Sequence, residues 1–129
     1  MTSPDKPYEL IFDERPGYLF AHLQGDTISV EVIRDYIAEI VAKSNTTGKQ
    51  RIMLYRDIPA VLPESQTFFT VSASLEALRG KKVALVNPHA DIQREVEFGV
   101  TVGLNRGGNY ANFNDVDTAE RWLLAEREG

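Results

Sequence analysis

The stretch from Lys81 to Leu124 constrains the fold more than any other part of the chain. The apolar run Val83-Ala84-Leu85-Val86 reads as a short buried strand that leads into Asn87-Pro88-His89. A helix over Asp91 to Asn105 follows, contains Gly99 and Gly103, and stops at Arg106-Gly107-Gly108. A second strand, Tyr110 to Phe113, and an Asn114-Asp115 turn precede a last helix that carries Trp122, the single tryptophan. Asp117 can cap that helix, with Glu120 at capping-box spacing. Strand–helix–strand–helix order implies parallel strands joined by crossover helices, hence a small α/β domain.

Upstream, Tyr8 to Phe12 reads as a strand, Arg15-Pro16-Gly17 as a tight turn, and Tyr18 to Gln24 as an alternating strand. Leu19, Ala21 and Leu23 fall on one face of it, and Tyr18, Phe20, His22 and Gln24 on the other. So short a turn pairs these two strands as an antiparallel hairpin. Ser29 is placed to cap a first helix, with Ile28 and Ile33 spaced as a hydrophobic staple. Val30, Ile33, Ile37, Ile40 and Val41 form its apolar stripe. Ile52 to Tyr55 is the next strand, ending at Arg56-Asp57. After the loop Ile58 to Pro63, Glu64-Ser65 opens a second helix with Phe68, Val71, Leu75 and Leu78 inward. The expected order is ββαβαβαβα: a single α/β domain over residues 1–129, with loose ends at about 1–6 and 126–129.

Composition excludes several function classes. A net charge of -5 and scattered basic residues argue against a nucleic-acid surface. With no cysteine, thiolate chemistry and disulfides are out of reach, and two histidines without spaced carboxylates suggest no metal site. No apolar run reaches the roughly 20 residues of a membrane span. The first seven residues lack a signal-peptide pattern, so the chain reads as cytoplasmic. No phosphate loop, nucleophile elbow or other cofactor motif is present, and no cofactor is expected.

Tyr18 to Gly25 with Thr27, Arg51 to Arg56, Lys82 to Asn87, and the ending Arg106-Gly107-Gly108…Phe113…Ala119-Glu120-Arg121-Trp122-Leu123 together resemble the SpoIIAA-like group of STAS/SEC14-type domains. The resemblance runs from about Tyr8 to Leu124; the spacer Val116-Asp117-Thr118 is longer than the group's pattern. It implies a five-strand mixed sheet flanked by helices. It also implies one of two roles. STAS domains of the anti-sigma-factor-antagonist type bind a kinase partner and are switched by phosphorylation of a serine at a helix start. SEC14-type relatives hold hydrophobic ligands.

Ser65 is the nearest positional match to a switch serine, since a phosphate there would meet free backbone N–H groups and a favourable helix dipole. The Asp-Ser-x-Gly motif is absent, Glu64 would repel a phosphate, and Ser65 also reads simply as a helix-start residue. At the carboxyl ends of the parallel strands stand Arg56-Asp57, Asn87-Pro88-His89 and Asn114-Asp115, where open sheets bind ligands. Arg56 could hold an anion and His89 could titrate near neutrality, while Asp57 and Asn87 equally suit Asx turns. The apolar loop with Val61 and Leu62, and the adjacent Phe68 and Phe69, are candidates for a docking surface or an apolar pocket near Gly99 and Gly103.

The reading is therefore a non-enzymatic binding or regulatory module acting on a protein partner. A carrier or sensor of a small hydrophobic ligand is the alternative, and an enzyme acting through Arg56, Asp57 and His89 comes third. An exposed Tyr8–Phe12 edge could also make a homodimer. Burial of Phe68 and Phe69 separates the first two: an exposed pair favours a partner, a concave lining favours a ligand.

Overall fold

A computed structural model describes residues 7–105 and 107–125. The expected tails at 1–6 and 126–129, and Arg106 of the helix stop, lie outside the described residues. Strands β1 (Tyr8–Arg15) and β2 (Tyr18–Gly25) form the hairpin, followed by helix α1 (Val30–Thr47) and β3 (Arg51–Asp57). Then come α2 (Glu64–Ala77), β4 (Lys82–Val86), α3 (Gln93–Asn105), β5 (Asn109–Phe113) and α4 (Val116–Leu124). A 3-10 turn, Ala90–Ile92, precedes α3, so the α-helix starts two residues later than the sequence suggests. The hairpin turns on Pro16-Gly17, with Gly17 at φ 87°, a left-handed value that favours glycine.

The sheet runs β1-β2-β3-β4-β5, with β1 antiparallel to β2 and every later pair parallel. Right-handed crossovers along a sheet whose strands follow chain order must put α1, α2 and α3 on one face. α4 follows the last strand and covers the other face, against β3 and β4. Because the strand order never reverses, there is no switch-point crevice at the strand ends. The expectation of helices on both faces therefore holds, in the ratio three to one.

Alternation in β2 divides the core. Ala21 and Leu23 join Ile52, Leu54, Val32, Tyr36 and Ile40 under α1. Tyr18 joins Met53, Ala84, Val86, Ala119 and Leu123 under α4. Ser29 caps α1 as expected, its hydroxyl accepting from Val32 N at 3.1 Å. The buried row of α1 is Val32, Tyr36, Ile40 and Ser44; of the expected stripe of Val30, Ile33, Ile37, Ile40 and Val41, Ile40 is fully buried and Ile33 and Ile37 pack partly buried against the same core. Ser44 tolerates burial because its hydroxyl donates to Lys49 O at 2.5 Å and accepts from Lys81 Nζ at 2.9 Å. The cap of α4 is Asp115 rather than Asp117: the Asp115 carboxylate accepts from Thr118 N at 2.8 Å.

Candidate binding sites: a cavity under the helices and an exposed aromatic pair

α2 packs chiefly between α1 and α3. Its inward row is made of Thr70, the buried residue, with Thr67, Val71, Ser74 and Leu78 beside it. Thr70 Oγ1 donates to Gln66 O at 2.7 Å and Ser74 Oγ to Thr70 O at 2.8 Å, so both hydroxyls are satisfied within the helix. Short side chains cannot fill the gap to Leu54, Val83 and Leu85 on the sheet. A cavity of about 170 Å³ remains there, closed on its third side by α3 at Val96, Gly99 and Val100. Val61 and Leu62 from the loop also line it.

Arg56 stands at the end of β3 on the cavity face, in phase with Ile52 and Leu54. It is 7% exposed. Its guanidinium donates to Ile58 O at 3.0 Å and Ala60 O at 2.6 Å, which holds the loop across the strand end. Tyr36 lies against it; burial pushes the phenol pKa up, and the neighbouring cation opposes that shift. Arg56 makes no ion pair with a described carboxylate, and the other charged lining residue, Glu95, sits at the exposed rim.

Asp57 points to the opposite face of β3 and meets His89: Nε2 and Oδ1 are 2.7 Å apart in a half-buried pair. Asn87, 1% exposed, accepts from His89 N at 2.8 Å through Oδ1, an Asx turn that shapes the end of β4. Gln93 was not singled out from the sequence, yet it donates to Asn87 O at 2.7 Å and accepts from Asn112 Nδ2 at 3.2 Å. Arg56 thus faces away from the Asp57–His89 pair, and the three residues do not converge on one reacting centre. His22 stacks on Tyr55 with centroids 5.3 Å apart, a packing role on the sheet face.

Phe68 departs from the expected inward stripe of α2, and its neighbour Phe69 is turned outward as well. Phe68 is 38% exposed and Phe69 is 72% exposed, with rings edge to face at 5.9 Å. Neither lines the cavity. Ser65 is exposed in the first turn of α2, whose N-cap position, Pro63, offers no side-chain cap. Of the two glycines in α3, Gly99 lines the cavity and Gly103 packs on Tyr110. The sequence candidates therefore separate into three places: Arg56, Val61 and Leu62 at the cavity, Asp57, Asn87 and His89 beyond the strand ends, and Phe68 and Phe69 on the surface.

No family model matches the chain, and no curated protein does. Among solved structures, an anti-sigma factor antagonist from Mycobacterium paratuberculosis superposes with a TM-score of 0.62 at 14% sequence identity. The match covers 95% of this chain and 98% of that one. At that identity the likeness speaks for shape, and it agrees with the five-strand mixed sheet and its flanking helices: the chain has the SpoIIAA-like STAS fold.

Proposed function

We propose that the chain is a small regulatory module that works by binding another protein, docked on the exposed face of α2 around Phe68 and Phe69. The observation that carries this reading is the aromatic pair itself. Two adjacent phenylalanines stand outside the core on a helix whose inner row consists largely of small residues. Exposed aromatic pairs are costly to solvate and are the side chains that anchor protein interfaces. The shape shared with a protein described as an anti-sigma factor antagonist supports a protein partner as well. Separation of Arg56 from Asp57 and His89 supports a non-enzymatic role.

The test is affinity capture from the source cells with the wild-type chain and the Phe69→Asp variant as parallel baits. A protein retained by the wild type and lost with the variant supports the reading; equal retention by both removes α2 as the docking face.

The cavity favours a second reading, that the module also holds a small apolar ligand. It lies behind α2, on the side opposite the aromatic pair, so the two readings are compatible.

A further inference from the structure

We infer that the cavity binds a small apolar monocarboxylate, an acid of about the size of phenylacetate, with its carboxylate on Arg56. The inference rests on the ligand reading above and adds the chemical class and the anchoring residue.

Size sets the first limit. The cavity, about 170 Å³, is close to the roughly 150 Å³ apolar cavity that accommodates a benzene ring in a well-studied lysozyme variant. One ring or a short branched chain fits; a long acyl chain does not. The lining sets the second limit. Leu54, Val83 and Leu85 on the sheet and Val71, Val96 and Val100 on the helices give an apolar wall. The hydroxyls of Thr70 and Ser74 are engaged with carbonyls of their own helix. A sugar or nucleoside would find few groups free to read its hydroxyls, and an apolar body would lose nothing.

Charge sets the third. Arg56 is a buried guanidinium with five N–H donors, facing backbone carbonyls and a phenol but, among the described residues, no paired carboxylate. A buried cation without a counter-ion is unfavourable, and a carboxylate is its planar, two-oxygen complement. A single guanidinium matches one negative charge. Glu95 at the rim repels a second anionic group, which selects a monocarboxylate over a dicarboxylate.

Phenylacetate and its neutral isostere phenylacetamide, titrated into the full chain and followed by amide chemical shifts, decide the matter. The expected result is acid binding about tenfold tighter than amide, equivalent to about 1.4 kcal/mol, with shifts centred on Leu54, Val83 and Val96. Arg56→Gln should abolish the preference for the acid. Gly99→Leu, whose side chain would enter beside Thr67 and Val71, should remove binding of both probes while leaving Arg56 in place. Equal binding of acid and amide at the cavity would overturn the anion anchor and leave the ligand reading standing. Failure of both probes to bind the wild type at millimolar concentration would overturn both. Should Arg56→Gln not fold, the acid–amide comparison on the wild type decides alone.

Discussion

The ring of Tyr110 occupies the space that a side chain would need at Gly103: a Cβ built there would overlap the ring edge. The glycine in the last turn of α3 is thus the notch that lets the helix settle on β5. Gly103→Ala should gain about 1 kcal/mol of helix propensity and lose more to overpacking, typically 1–3 kcal/mol. A net loss of roughly 1 kcal/mol in a denaturant titration is expected, and it should vanish in a Tyr110→Leu background. Gly99 is the control. A Cβ there would sit 3.4 Å from Thr67 Cγ2, an ordinary contact, so Gly99→Ala should be neutral or stabilising.

Element order was legible because β3 and β4 carry short apolar runs, β1, β2 and β5 mix apolar with polar residues over five to eight positions, and polar, proline or glycine punctuation separates them. The faces of α1 and α2 were harder. Reading Phe68 as core assumed that a helix buries its largest apolar residues, but α2 lies between two helices and packs through Thr67, Thr70 and Ser74. Hydroxyls bonded to their own helix carbonyls behave as small apolar groups, and no periodicity of hydrophobicity reports that. Asp57, Asn87 and His89 were found because loop chemistry marks strand ends. Gln93 was missed because a glutamine in a first helical turn looks like surface. Arg56 was legible as a cation at a strand end, but its burial and grip on the loop depend on which way β3 faces.

Lys81 ties the end of α1 to the start of β4. Its ammonium, nearly fully buried, donates to Ser44 Oγ at 2.9 Å, Asn45 Oδ1 at 3.0 Å and Gln50 Oε1 at 3.1 Å, all neutral acceptors. Three donors meet three oxygens, so the group is satisfied without a carboxylate. Lys81→Met keeps the stem and orphans the acceptors. It should cost about 2 kcal/mol, read as a fall in the denaturation midpoint at unchanged slope.

The aromatic pair should be dispensable for folding. Phe69→Ser removes a ring that is 72% exposed, and a change at such a surface position normally stays within about 0.5 kcal/mol. Thermal unfolding of Phe69→Ser should therefore overlay that of the wild type. A large loss would mean that the ring supports the core, and the docking face would then need to lie elsewhere.

Asp115 gives α4 a pH dependence. Hydrogen bonds from the Thr118 backbone N–H and hydroxyl hold its carboxyl below the usual aspartate value, with Arg121 helping from the same helix. A carboxyl whose pKa is lower in the folded than in the unfolded state stabilises the fold above the unfolded value, near 3.9. That contribution is lost as pH falls through the lower, folded value. Acidification from neutrality to below pH ~4 should therefore weaken the docking of α4 on Met53, Ala84 and Val86. Asp115→Asn keeps a side-chain oxygen for the Thr118 N–H but cannot titrate. The variant should melt close to the wild type at neutral pH and lose less on acidification, with Trp122 fluorescence reporting on α4 in both. Equal acid sensitivity would assign the transition to other carboxyls and leave Asp115 as a cap whose charge does not matter.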